Sequence, residues 1–540
     1  MLTFENTLIL LLLIAGLSVM GRWLPWPLAI TYLLGGIGAS LLPRFPRLEL
    51  DPGFFFLCFL PPLLFADGWL MPLREFFRSR RSILTLAVGL VFFTTLSVGF
   101  VAWLLVPGLP LSMAFALGAV VSPTDAVAVN AVMEKLRVPA RLSTVLNGES
   151  LMNDATGLVA FKFALAAVIA GEFSLGRFAW EFSLVSVGGF VVGLVVGWAI
   201  GQIRDLLRRF DSSGTTIEIT LSLMTPFAAY LPASHLGTSG ILSVVAAGLY
   251  SGWRDPVRMD VETRQDAFAV WRLLIFWLNG VAFVLLGLQA RGILANVRNT
   301  YSLGELAGFT AVVAGAAIVA RLAWVYAGLY APTVLRGVCE YEARAETGLV
   351  MGWAGMRGTV TLAGALSIPY LMPDGRPFPG RDIVIFLAFG VIAVTLLVQG
   401  STLEWLIRRV QLREDNHREK EELLARTRAV AAGLAVLRGL EAEAKTPDHN
   451  AALGQVIGEY ENRLAALEAE GETRVSARRR RIAGHRYRTL ALRAERAELD
   501  KLWQGDEIAD EVYRPLQLLL DHEEALLRAG PPPAVEEGAK

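Results

Sequence analysis

An all-α polytopic membrane protein is the fold class the sequence predicts: about 13 transmembrane helices with inverted repeats, two of them broken, followed by a helical cytoplasmic tail. Three observations carry this. Of the 540 residues, 54% are hydrophobic and the mean hydropathy is +0.48, too apolar for a soluble chain of this length. Apolar runs long enough to cross a bilayer recur from residue 5 to residue 407, separated by charged or Pro- and Gly-rich breaks. The formal net charge of zero averages that apolar front with a densely charged remainder. The front defines a transmembrane domain, 1–407, and the remainder a cytoplasmic helical tail, 408–540.

The runs fall at 5–21, 26–42, 53–70, 82–106, 112–132, 142–170, 181–201, 215–232, 238–253, 267–289, 304–334, 346–371 and 383–407. Leu8–Leu17 is expected to be the first membrane helix rather than a signal peptide. Glu5 stands where a basic n-region belongs, and no small-residue cleavage site follows. Alternate loops carry 16 and 7 Lys and Arg residues, and the richer set is expected on the cytoplasmic side. That places the N-terminus outside and the tail inside, and an odd number of spans connects them.

In this orientation the fifth and twelfth runs cross in opposite directions, and both are interrupted. Pro123 removes a helix hydrogen bond in one; Gly352, Gly355 and Gly358 surround Arg357 in the other. Opposed broken helices of this kind are the sequence signature of an inverted repeat in a secondary transporter.

The tail is expected to form helices near 430–443, 451–470 and 506–528, with a basic cluster from Arg474 to Arg481 and a disordered end after Gly530-Pro-Pro-Pro. The only two cysteines, Cys58 and Cys339, define no disulfide framework.

The candidate site is Ser122-Pro-Thr124-Asp125 with Asn147-Gly-Glu149-Ser150-Leu-Met-Asn153-Asp154. Asp154 lies roughly 18 Å up its run from Leu142 at 1.5 Å per residue, near the middle of a hydrocarbon core roughly 30 Å thick. A carboxylate at that depth costs roughly 2.5–3.5 kcal/mol, so it marks a functional site. Glu149 and Asn153, and likewise Ser150 and Asp154, are spaced i, i+4, which puts four polar side chains on one side of the helix.

A hard monovalent cation needs several oxygen donors. Asp154, Asp125, Ser150, Thr124 and the carbonyls freed by the helix break supply them. Burial favours the protonated carboxyl and a bound cation favours the ionised one, so protons and a transported metal ion such as Na+ compete for one site. A single site that faces alternate sides of the membrane then suffices for exchange. Arg321, deep in the eleventh run, is the basic group best placed by desolvation cost to pair with Glu149; Lys162 and Arg357 are the other intramembrane candidates. No nucleotide loop or redox centre is legible, so no cofactor and no nucleic acid partner is expected.

Two other classes fit less well. An intramembrane hydrolase using Ser150 needs a base, and of five histidines only His235 lies near the membrane domain, in an outer loop. A gated cation channel with an acidic filter does not explain opposed broken helices. Asp67 is expected to be an interfacial cap, Glu218 a helix-start charge, and the tryptophans interfacial.

Together with Ser239-Gly-Ile-Leu-Ser-Val-Val-Ala-Ala-Gly248 and Gly355-Met-Arg357-Gly-Thr-Val-Thr-Leu-Ala, these motifs resemble the monovalent cation:proton antiporter family, in its bacterial sodium/proton exchanger branch. The resemblance covers essentially the whole membrane domain. It implies exchange of intracellular Na+, with Li+ or K+ as alternatives, for external H+ by alternating access. It also implies a homodimer in the lipid of a bacterial inner (plasma) membrane, with a dimerisation domain and a mobile core. Asp154 is implied as the essential carboxylate, Thr124, Asp125 and Ser150 as completing the ion site, and Glu149, Asn153 and Arg321 as a supporting network that Arg357 joins. Asn153 before Asp154 implies electroneutral exchange. Ala126 stands where many relatives have Pro, which leaves the ligand role of Asp125 open.

Overall fold

The computed structural model describes residues 4–43, 45, 51–133, 135–136, 138–170, 175–210, 214–330, 345–410, 412, 416–440, 447–468, 471–505 and 507–528. Cys339, Arg44, Arg47, Arg137, Arg336, Arg344 and the Gly530-Pro-Pro-Pro end lie outside the described residues, as do the side chains of Arg177 and of the Arg474–Arg481 cluster. Among the described residues there is no strand, only an isolated antiparallel bridge between Leu371 and Pro377.

The chain divides into two compact units, Met1–Glu414 and Asp415–Lys540. In the first, helices run in the order α1 (Phe4–Gly21), α2 (Leu28–Leu41), α3 (Pro52–Cys58), α4 (Leu60–Trp69), α5 (Leu73–Arg78), α6 (Arg80–Leu84), α7 (Val91–Leu105), α8 (Leu111–Val121), α9 (Ala126–Met133) and α10 (Ala140–Ala170). They continue as α11 (Leu175–Arg209), α12 (Thr215–His235), α13 (Gly240–Arg258), α14 (Val261–Leu288), α15 (Ala290–Val297), α16 (Leu303–Tyr330), α17 (Ala345–Trp353), α18 (Thr359–Leu366), α19 (Arg381–Val394) and α20 (Gly400–Val410). π-helical turns at Thr85–Leu90 and Thr395–Gln399 join α6 to α7 and α19 to α20. Helix lies on each of the thirteen apolar runs. Eight helical stretches among the described residues are long and apolar enough to cross a membrane, and Glu5–Gly21 and Leu28–Leu41 are shorter apolar helices.

The helices pack as two groups. α1, α2 and α4 associate mainly with α11–α14, α3 lies against α4 and α18, and α6–α10 associate mainly with α16–α20. They meet where α3, α4, α13 and α14 face α10 and α18, and where α2 faces α9. Glycine sets the closest approaches within the first group. A Cβ on Gly248 or Gly252 would run into the backbone of Phe65 or Trp69, so the Gly248-x-x-x-Gly252 face of α13 seats α4 directly on its backbone.

Run 53–70 is not one helix: it breaks at Phe59, ahead of Pro61 and Pro62 at the start of α4, whose rings cannot continue the hydrogen-bond ladder of α3. The two expected interruptions leave residues 122–125 between α8 and α9, and 354–358 between α17 and α18, without helical structure.

The second unit holds α21 (Asn416–Leu440), α22 (Pro447–Glu468), α23 (Gly471–Gln504) and α24 (Asp510–Arg528). α21 pairs with α22 and α23 with α24. Arg438 bridges to Glu461 at 2.6 Å, and the Trp503 and Tyr513 rings stack at 4.8 Å.

Candidate functional site

The two broken helices end on each other. The N–H of Asp125 donates to the carbonyl of Met356 at 2.8 Å, and the Arg357 guanidinium donates from Nε to the carbonyl of Val121 at 3.1 Å. Arg357 also donates to the Gly355 carbonyl, and its own N–H donates to Thr395 Oγ1 at 3.2 Å in the π-helical turn. Its positive charge therefore sits at the negative C-terminal end of α8, where backbone carbonyls have lost their helical partners.

Around residues 123–125 the orphaned backbone groups are met by side chains of α10. Ser150 Oγ donates to the Thr124 carbonyl at 2.8 Å and accepts from the Ala126 N–H at 3.1 Å, so one hydroxyl bridges the break. Asp125 Oδ1 accepts from the Val127 N–H at 2.8 Å, an N-cap at the start of α9. The opposite face of Asp125 meets Gly358: a Cβ there would collide with the carboxylate.

Glu149 and Arg321 form a bidentate pair, both 1% exposed at the side chain, with Arg321 Nη2 at 2.8 Å from Glu149 Oε2 and Nη1 bonded to Oε1. Arg321 Nε also donates to the Met351 carbonyl at 3.0 Å, which ties α16 to α17. Thr124 Oγ1 donates to Glu149 Oε1 at 3.2 Å and accepts from Asn153 Nδ2 at 2.8 Å. Glu149, Asn153, Thr124 and Arg321 are thus one continuous network. The Asn153 carboxamide oxygen is buried and unpartnered among the described residues, an acceptor left over at the site.

Asp154 stands apart. It is 8% exposed, and its carboxyl group makes no hydrogen bond and no ion pair among the described residues. Its electrostatic neighbours are acidic: Asp125 and Asp67. Asp67 likewise lies under the charge of Asp125. Accessibility falls along this set, with Asp67 exposed although its neighbours Ala66 and Gly68 are buried, Asp125 intermediate and Asp154 buried. Among the described residues none of these three carboxyl groups has a basic partner, and a cluster of one sign attracts cations.

The sequence predicts an interfacial cap at Asp67, which the structure instead places under the charge of Asp125. Its place in the site depends on α4 packing across from α10, a long-range contact that no local pattern encodes. Glu218, expected as a helix-start charge, is held by Arg208, with both guanidinium contacts at 2.6 Å. Lys162 is exposed, away from this cluster.

Unwound segments that cross and bond each other inside a helical membrane unit, with acidic side chains beside them, are the arrangement of a membrane transporter. The chain belongs to the sodium/hydrogen exchanger family: the model of that family, described as sodium/hydrogen exchanger, transmembrane, matches residues 9–409. It is 36% identical to a protein of Escherichia coli strain K12 named as an uncharacterized Na+/H+ exchanger, YjcE, over 97% of this chain and 98% of that one. It is 34% identical to a sodium, potassium, lithium and rubidium/H+ antiporter of Bacillus pumilus, over 95% of this chain and 76% of that one. Among solved structures, the sodium proton antiporter MjNhaP1 of Methanocaldococcus jannaschii aligns with a TM-score of 0.59 at 20% identity, covering 76% of this chain and 99% of that one, which establishes a shared fold.

Proposed function

We propose that this protein is a secondary active antiporter that exchanges intracellular Na+ for external H+, with Asp154 carrying either the ion or the proton. The observation that carries this is the Asp154 carboxylate itself, buried and without a donor while its neighbours are acidic. A carboxylate so placed holds charge only when a cation or a proton neutralises it. That makes the two substrates mutually exclusive.

Asp67 gathers cations at the open end of the path and Asp125 passes them inward. Asp154 holds them, with the free Asn153 oxygen and backbone carbonyls of the break as further ligands. Thr124 and Ser150 hold the break in shape by their hydrogen bonds and offer remaining lone pairs to the ion. Glu149, neutralised by Arg321, adds no net charge to the ion's balance. With one chargeable ligand changing occupant and Asn153 neutral, exchange is one-for-one and electroneutral. The group α6–α10 with α16–α20 carries the site past the other group in alternating access, related by inverted repeats. The first group supplies a homodimer contact in a bacterial plasma membrane, with the N-terminus outside and the 408–540 tail in the cytoplasm. A K+-selective proton antiport is the second reading, because the Bacillus pumilus relative's name includes potassium.

The test is proteoliposomes with a preset pH gradient, challenged with Na+, Li+, K+ and choline while the membrane voltage is clamped or released. Dissipation by Na+ at a rate independent of voltage is the expected result. Dissipation by K+ alone selects the second reading, and strong voltage dependence removes electroneutrality.

A further inference from the structure

Asp67 sits on a short helix whose opposite face is held from behind. α4 carries Asp67, and Phe65 and Trp69 lie two residues to either side, about 200° around the helix from it. Both aromatic side chains are buried on the far face, against α13 and α14. Phe65 packs on Trp271 at 5.2 Å, and Trp69 on Phe268 at 4.8 Å. Trp271 in turn donates from Nε1 to Ser222 Oγ at 3.0 Å.

Trp69 adds a directional contact. Its Nε1 donates to Asp255 Oδ2 at 3.1 Å, and the other oxygen of Asp255 accepts from Arg204 Nη1 at 2.9 Å, all buried. Arg204 also donates to the Glu218 carbonyl at 3.4 Å, so α4, α13, α11 and α12 share one polar cluster. The backbone of α4 lies against Gly248 and Gly252, which leaves no slack for sliding. Removing one partner of a buried pair of this kind leaves the other charge uncompensated.

We propose that the Trp69–Asp255–Arg204 cluster is a positioning device that aims Asp67 at Asp125 and Asp154, and so sets the affinity with which cations enter the site. Trp69 and Asp255 touch no ion; they act through Asp67. This inference rests on the role given to Asp67 in the proposed function.

The experiment is a double-mutant cycle on the full-length protein in proteoliposomes, reading KM and maximal rate for Na+, with melting temperature and size-exclusion profile recorded for every variant. Asp67→Asn is expected to raise the KM for Na+ on the order of 3- to 10-fold at unchanged maximal rate. Trp69→Phe keeps the ring but removes the donor, and is expected to raise KM similarly. The double variant is expected to have the KM of Asp67→Asn alone, because the two changes disable one function. Trp69→Tyr, which keeps the stacking and moves the donor, carries the same expectation if Trp69→Phe does not fold. If Asp67→Asn raises KM while the Trp69 variants leave it unchanged, or lower the maximal rate and add to the Asp67 effect, the positioning role is wrong and Asp67's role stands. If Asp67→Asn itself leaves KM unchanged, the role of Asp67 fails first and the inference goes with it.

Discussion

The N–H of Asp125 donates to the carbonyl of Met356 at 2.8 Å, so the unwound segment of one broken helix is completed by the other. Arg357 answers from the opposite side, bonding the Val121 carbonyl that ends α8. The two breaks are therefore bonded to each other from both sides, and any shift of Asp125 that keeps its bond to Met356 carries that segment with it.

Gly358→Ala tests that coupling. Its Cβ would occupy the space of the Asp125 carboxylate. Transport is expected to fall on the order of tenfold or more while the protein still folds, since the change lies outside the Glu149–Arg321 pair. Wild-type transport in the folded variant would show that Asp125 has room to move.

Breaking the buried ion pair should affect folding before transport. Glu149→Gln or Arg321→Met leaves one buried charge without its partner, at a cost of about 3–5 kcal/mol, and the melting temperature in detergent is expected to drop sharply. The double variant Glu149→Leu/Arg321→Met removes both charges and is expected to recover much of that loss. Additive losses in the double variant would show that the pair is not a closed unit.

Ser150 bridges the break with one hydroxyl, donating to the Thr124 carbonyl and supplying an acceptor to the Ala126 N–H. Ser150→Ala orphans both backbone groups and is expected to cost about 1–3 kcal/mol and to raise the KM for Na+. Unchanged stability would place solvent in the hydroxyl's position.

Much of this was legible in the sequence. Apolar runs gave the helix positions, and Pro123 and the glycines around Arg357 marked the breaks, because bilayer solvation and backbone hydrogen bonding are strict local constraints. The i, i+4 spacing of Glu149 with Asn153 put two polar groups on one face, and both reach Thr124. The break at Phe59 and the placement of Asp67 were not legible. Gly248 and Gly252 let α4 pack closely on α13, and two glycines in an apolar run carry no label saying which helix they receive. The sequence places Asn153 on the polar face of its helix, but its unpartnered oxygen is visible only once Thr124 has taken its amide.

Competition between proton and ion predicts a pH signature. As pH falls, protons occupy Asp154 and the apparent KM for Na+ is expected to rise, by up to about tenfold per pH unit for one competing proton, at unchanged maximal rate. Initial-rate measurements across pH check it. A maximal rate that falls with pH at constant KM would place the proton on a group other than the ion site.

The central claim rests on Asp154, and the most direct measurement compares wild type with Asp154→Asn in proteoliposomes, following the dissipation of a preset pH gradient after Na+ is added. The carboxamide keeps the size of the side chain and removes its charge and its titrating proton. Folded Asp154→Asn protein that dissipates no gradient with any cation is the predicted result. Folded Asp154→Asn protein that exchanges Na+ for H+ at the wild-type rate would contradict the account.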